Sequence, residues 1–224
     1  MSYLTSRTIV VLAGLSGFLV PSRSLIAQEA GALIVGCSRD QSRTPNCMAA
    51  IHKFCSLESR GGAGIAQDVG PAAQGAFGVA CFKPSWFGDV PIAQLKQLNA
   101  GCDDPGKAQS PGCVSAVHRY CAAGKGGAGL VQEVGKGVFA VACFQSSHYQ
   151  DVPVVNLKTL SSGCDDVGKS QQQDCVTAIH RWCVNNGKGT GGLSQEVGNG
   201  VLGVACFTGT THSDVPVSAG SPPH

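Results

Sequence analysis

The sequence predicts a disulfide-rich α+β fold: a tandem array of three similar units, each with a short helix and a β-hairpin. Three observations predict it. One nine-residue stretch occurs three times, as C-M-A-A-I-H-K-F-C at residues 47–55, C-V-S-A-V-H-R-Y-C at 113–121 and C-V-T-A-I-H-R-W-C at 175–183, with spacings of 66 and 62 residues. Self-similarity at such a period marks a repeat architecture. The twelve cysteines fall four to a repeat. Cys37, Cys102 and Cys164 follow a glycine, Cys47 and Cys55, Cys113 and Cys121, and Cys175 and Cys183 bound the repeated stretch, and Cys81, Cys143 and Cys206 sit in V-A-C-F. Finally, 31 glycines in 224 residues fit a loop-rich chain with many tight turns.

The second repeat serves to justify the elements in order. Residues 101–112 form a polar loop punctuated by Pro and Gly. Residues 113–121 read as a helix: Cys113, Ala116, Val117, Tyr120 and Cys121 share one face at 100° per residue, while Ser115 and Arg119 point away. Gly124, Gly126 and Gly127 end it. Residues 130–134 and 138–144 then make a hairpin around Gly135-Lys136-Gly137. The third repeat keeps that turn as Gly198-Asn199-Gly200, and the first lengthens it over residues 70–75. Residues 151–160 connect to the next repeat, with Val154 and Leu157 expected to pack against the unit. The resulting organisation is a signal peptide at 1–27, repeats at 36–100, 101–162 and 163–217, and a disordered tail at 218–224.

The first 27 residues carry Arg7, a short apolar run and an L-I-A cleavage site before Gln28. That run is too short to span a bilayer, which takes about 20 residues, so the expectation is a secreted protein with no membrane span after cleavage. Export makes the even cysteine count a disulfide framework. The two cysteines of each helix are eight residues apart, about 12 Å along the axis, too far for a bridge, which needs Cα atoms within about 7 Å. Two schemes remain within the second repeat: Cys102–Cys113 with Cys121–Cys143, or Cys102–Cys121 with Cys113–Cys143.

Charged residues are 13% of the chain and the net charge is +2. That leaves no concentrated basic face for nucleic acid. Three sets of residues are candidates for function. His52, His118 and His180 stand in a C-x4-H-x2-C spacing that would suit zinc, but oxidised sulfurs do not ligate it, so no metal or other cofactor is expected. Each histidine either bonds a backbone carbonyl beside the core or faces a ligand. Gln67, Gln132 and Gln195 each precede an acid in a strand, so one of each pair faces inward and the other is exposed. The stretches after the last cysteine carry Trp86, Phe87 and Asp89, His148, Tyr149 and Asp151, and His212 and Asp214. They read as variable loops on a constant frame, where binding usually resides. An aromatic ring beside a carboxylate suits a sugar, stacking on its CH face and bonding its hydroxyls.

No G-x-S-x-G or H-E-x-x-H motif occurs, and no free cysteine remains to act as a nucleophile. The expectation is therefore a non-enzymatic, multivalent, lectin-like binder of glycans at a cell surface or wall. A structural or adhesive wall protein without a specific ligand is the first alternative. A tandem inhibitor of secreted hydrolases is the second.

Overall fold

The computed structural model describes residues 37, 41–57, 60–69, 76–209 and 211–216, with only the backbone of 68, 69, 76, 77 and 212–216. The expected signal peptide, the first-repeat loop at 70–75 and the tail at 218–224 lie outside the described residues. Helix and sheet are mixed, with six disulfides, and no helix among the described residues is long and apolar enough to cross a membrane.

Three helices carry the repeated stretches: α1 (Pro45–Ser56), α3 (Pro111–Ala122) and α5 (Gln173–Asn185). The first two begin as their sequences dictate. Pro45 and Pro111 open the first turn, where no N–H is missed. The Thr44 and Ser110 hydroxyls accept the backbone N–H of Cys47 and Cys113 at 3.5 and 3.3 Å. In α5, Gln172 supplies no side-chain cap and Asp174 stands in the first turn instead. Each helix is followed by an antiparallel pair: β1 (Ala63–Val69) with β2 (Ala76–Phe82), β4 (Ala128–Val134) with β5 (Val138–Phe144), and β7 (Gly191–Val197) with β8 (Val201–Phe207). Gly137 and Gly200 close the last two turns at φ +74°, a left-handed conformation that other residues resist.

The stretches expected to be loops are strands: β3 (Trp86–Pro91), β6 (His148–Pro153) and β9 (Thr211–Pro216). Each crosses to another sheet. β3 pairs with β5 and β6 with β8, while the last strand, β9, returns to β2. The three sheets have orders β1-β2-β9, β3-β5-β4 and β6-β8-β7. Short polar residues had disguised these strands. Only Val90 and Val152 on β3 and β6 are buried, which is what an edge strand with one half-exposed face looks like. Pro91 and Pro153 end β3 and β6 where a further ladder N–H would be needed. Helices α2 (Ile92–Leu98) and α4 (Val154–Lys158) follow. Val154 and Leu157 pack with Cys164, Cys175 and Val204, so they join the helix and sheet that follow them in the chain.

The disulfides follow the first of the two schemes: Cys37–Cys47, Cys55–Cys81, Cys102–Cys113, Cys121–Cys143, Cys164–Cys175 and Cys183–Cys206. Each helix is thus tied at its start to the preceding loop and at its end to the middle strand of a sheet. A second core runs between the sheets. Phe82, Phe144 and Phe207 meet there with ring centroids 4.9, 5.2 and 5.3 Å apart, joined by Ile65, Leu130, Leu193 and five alanines. Fixed aromatic pairs of this kind add to plain burial.

Glycine is obligatory on the inner strands. A Cβ at Gly64, Gly129 or Gly192 would fall on Cys55, Cys121 or Cys183 Sγ, so the bridge lies flat against backbone. Gly129→Ala is therefore expected to displace the Cys121–Cys143 bridge and cost roughly the 2–4 kcal/mol of a lost disulfide. Guanidinium unfolding of the oxidised protein, with a count of free thiols, checks this; an unchanged midpoint would contradict it.

Candidate functional site: the helix–sheet seams

Each of the three strands β1, β4 and β7 has a bulge, and the residue left out of the ladder is the glutamine: the register shifts between Ala66 and Asp68, Val131 and Glu133, and Ser194 and Glu196. The bulge turns that side chain from the ladder towards the neighbouring inner strand. There the amide pairs with one glycine as a strand would. Gln132 Oε1 accepts the Gly64 N–H at 3.0 Å and its Nε2 donates to Gly64 O at 3.2 Å. Gln195 does the same to Gly129 at 2.8 and 3.0 Å, and Gln67 to Gly192 at 2.6 and 3.1 Å. All three glutamines are fully buried. The expectation that they contact a ligand is corrected: both ends of each amide are already used between strands.

The histidines roof these amides. As the Nδ1–H tautomer, His52 donates to Gln132 Oε1 at 3.2 Å. Its partner is thus a side-chain amide, in place of the expected backbone carbonyl. Its ring stacks on Phe87 of β3, centroids 5.0 Å apart and 4° from parallel. His118 stacks likewise on Tyr149 of β6, at 5.2 Å and 10°. Its Nδ1 is out of solvent beside Gln195, without hydrogen-bond geometry. Burial holds the His118 imidazole below its ordinary pKa, against the opposing pull of Glu196. His180 takes the same position on α5 and is half-buried.

Strand alternation then sorts the other candidates. Phe87 and Asp89 pair with Ala142 and Ala140, on the face that looks towards the inner core, and Tyr149 and Asp151 pair with Ala205 and Gly203 in the same way. Phe87 and Tyr149 keep 45% and 40% of their surface exposed, so one side of each ring is clamped by histidine while part remains open. Trp86 and His148 go to the opposite face. Trp86 lies across Gly88 and edge-on to Tyr120, with the Lys125 ammonium 4.2 Å from the Tyr120 centroid. This half-buried tryptophan packs on the α3 core and is not beside Asp89. His148 sits by Trp182, with Nε2 3.0 Å from Gln150 Oε1, over a shallow hollow lined by Lys188 and Thr190. His212 and Asp214 are on β9, and their side chains lie outside the described residues.

The seam between α3 and the β6-β8-β7 sheet is the most elaborate. Glu196 accepts from the Ser115 hydroxyl at 2.6 Å and from Arg119 Nε at 3.1 Å, and Arg119 also donates to Leu98 O at 2.9 Å. The sequence reading assigned Ser115 and Arg119 to an outward helix face without linking them to Glu196, because their partner is 77 or more residues away. Tyr149 runs along Gly203 towards this carboxylate. Burial, then Glu196 and Asp151, push its phenol up to about 12.

Residues 163–170 read G-C-D-D-V-G-K-S, the spacing of a phosphate-binding loop. The geometry excludes that role. Cys164 is bridged to Cys175, Asp166 accepts the Gly168 N–H at 2.6 Å, and Lys169 is paired with Asp165 at 2.7 Å. The Gly168 N–H and the Lys169 ammonium, the groups that would hold a phosphate, are thus already paired with carboxylates. All twelve cysteines are in disulfides, and no group of three or more His, Cys, Asp or Glu among the described residues could hold a metal.

Comparison with known proteins adds no assignment. The chain matches no family model, no curated protein and no solved structure.

Because the folded His118 pKa is below the unfolded value of about 6.5, the folded state binds its proton less readily. Its contribution is complete above that value and is lost as pH falls through and below it. Thermal unfolding between pH 7.5 and 5 should show a midpoint that drops with pH and drops less in His118→Asn. Identical slopes for the two proteins would refute this.

Proposed function

We propose that the protein is an exported, multivalent binder of glycans at a cell surface or wall, built as three copies of one unit around a common axis. The observation that carries the reading is the pair of an exposed ring and a carboxylate two residues apart on an edge strand, Phe87 with Asp89 and Tyr149 with Asp151. The histidine stacked on the inner side holds each ring still, which lowers the entropy lost when a ligand docks. A pyranose CH face covers the open part of the ring, and its hydroxyls donate to the aspartate. At the α3 seam, Arg119 lies on the same rim, fixed by Glu196. On β9, His212 and Asp214 hold the matching register positions, opposite Ala80 and Gly78. Six disulfides suit an oxidising compartment. Several weak sites on one rigid body gain apparent affinity for a polyvalent surface through effective concentration.

The tandem-inhibitor alternative, whose reactive tips would be the stretches at Trp86, Tyr149 and His212, loses support because all three lie in paired strands rather than extended loops. A wall protein without a ligand remains the competing reading, favoured by the low charge and heavy cross-linking.

The oxidised protein on a glycan array should bind at least one polysaccharide class. Phe87→Ala with Tyr149→Ala should reduce that binding about tenfold or more, since each lost stacking contact is worth about 0.5–1.5 kcal/mol and avidity compounds it. Trp86→Ala should lower stability without changing ligand preference. Absence of binding to every glycan at high protein concentration would favour the ligand-free wall protein.

A further inference from the structure

One position of the repeat holds a cation in every copy. Arg60, Lys125 and Lys188 each stand seven residues before the buried glutamine, Gln67, Gln132 or Gln195. In the first two copies aromatic rings face the charge. The Arg60 guanidinium lies 4.2 Å from the Phe54 centroid, and the Lys125 ammonium lies 4.2 Å from Tyr120 and 5.7 Å from Trp86. Lys188 has neither a ring under its ammonium nor an ion pair among the described residues.

One substitution accounts for the difference. β3 and β6 pair with β5 and β8 in the same register, so His148, opposite Cys206, stands where Trp86 stands opposite Cys143. The frame beside it is kept: Ser85 Oγ donates to Lys125 O, and Ser147 Oγ to Lys188 O. An imidazole is smaller than an indole. Beside His148 there is an open hollow of about 490 Å³, lined also by Ser147, Lys188, Thr190 and Thr208. Small-molecule sites span about 300–1,000 Å³.

The lining combines a positive charge with donors and acceptors. Thr190 Oγ1 accepts the Gly209 N–H at 2.6 Å, which leaves its own proton to donate. Ser147 gives its proton to Lys188 O and keeps oxygen lone pairs. In the Nε2–H tautomer His148 donates to Gln150 Oε1 at 3.0 Å, which leaves Nδ1 as an acceptor. No carboxylate lines the hollow. Asp151 and Glu196 both pair with Gly203, on the other face of the sheet.

We propose that this hollow binds one acidic sugar unit, its carboxylate or sulfate taken by the Lys188 ammonium and the Thr190 hydroxyl, its ring hydroxyls by Ser147 and His148. The assignment rests on the glycan reading and makes the polysaccharide an anionic one. β6 then offers Tyr149 to a sugar ring on one face and His148 to an acidic unit on the other.

NMR titration of the nitrogen-labelled, oxidised protein tests this, with glucuronate and a glucose sulfate ester as probes and glucose as the neutral control. One or both acidic probes should shift the amide signals of Lys188, Gly189 and Thr190, and the tighter of the two names the group. Glucose should bind there about tenfold more weakly or worse, since a charge-assisted hydrogen bond is lost. Lys188→Met should weaken the acidic probe by about the same factor, and Lys188→Arg should restore it. The map on the native protein needs no variant. If the acidic probes leave these signals in place while the glycan array still shows binding, the hollow is overturned and the glycan reading stands. If they move these signals while the array shows no polysaccharide bound, the acidic-sugar site stands and the polysaccharide reading falls.

Discussion

Three buried amides hold the three sheets to one another. Each glutamine reaches out of its own strand at a bulge and pairs with the backbone of a glycine on the next inner strand. One hydrogen bond of this kind contributes about 1 kcal/mol net, but leaving the amide or the glycine unpaired in so dry a position costs about 1–3 kcal/mol. The arrangement is conditional at every step. The glycine must lack a side chain because a disulfide sulfur occupies that space. The disulfide lies there because it ties the helix end to the middle strand. In the first two seams, the helix so anchored brings a histidine over the glutamine and against a ring of the crossing strand. Covalent cross-link, backbone pairing and the exposed ring of the seam are therefore one mechanical unit.

Much of this was legible in the residues. The repeated nine-residue stretch, with its apolar face and flanking glycines, dictated the helices to within a turn. The spacing of the helix cysteines ruled out their pairing, and the observed bridges are one of the two schemes that remained. For each glutamine–acid pair, strand alternation left open which member turned inward, and the glutamines are the buried ones. What sequence could not supply was the destination of the inward glutamine. Its partner is a glycine 66, 68 or 125 residues away, and no local pattern encodes such a distance.

The strands after the last cysteine were missed for a related reason. W-F-G-D-V-P has a single buried β-branched residue, and Gly, Asp and Pro are turn formers in isolation. Its strand character comes from an existing sheet edge offered by residues further along the chain. That error carried over to the candidate site. Taken as a loop, Trp86, Phe87 and Asp89 looked like one cluster. As a strand, alternation separates Trp86 from the other two, and likewise His148 from Tyr149 and Asp151. The distribution of side chains over two faces, rather than their proximity in sequence, decides which ring can share a ligand with which carboxylate.

Covalent and non-covalent closure are divided cleanly in this molecule. Every bridge spans at most 26 residues, whereas the return of β9 to β2 is made by backbone pairing alone. Reductants and unzipping forces consequently act on different joints. Peeling the final strand from β2 would leave all six bridges intact, and cutting the bridges would loosen each helix while leaving the β9–β2 pairing in register.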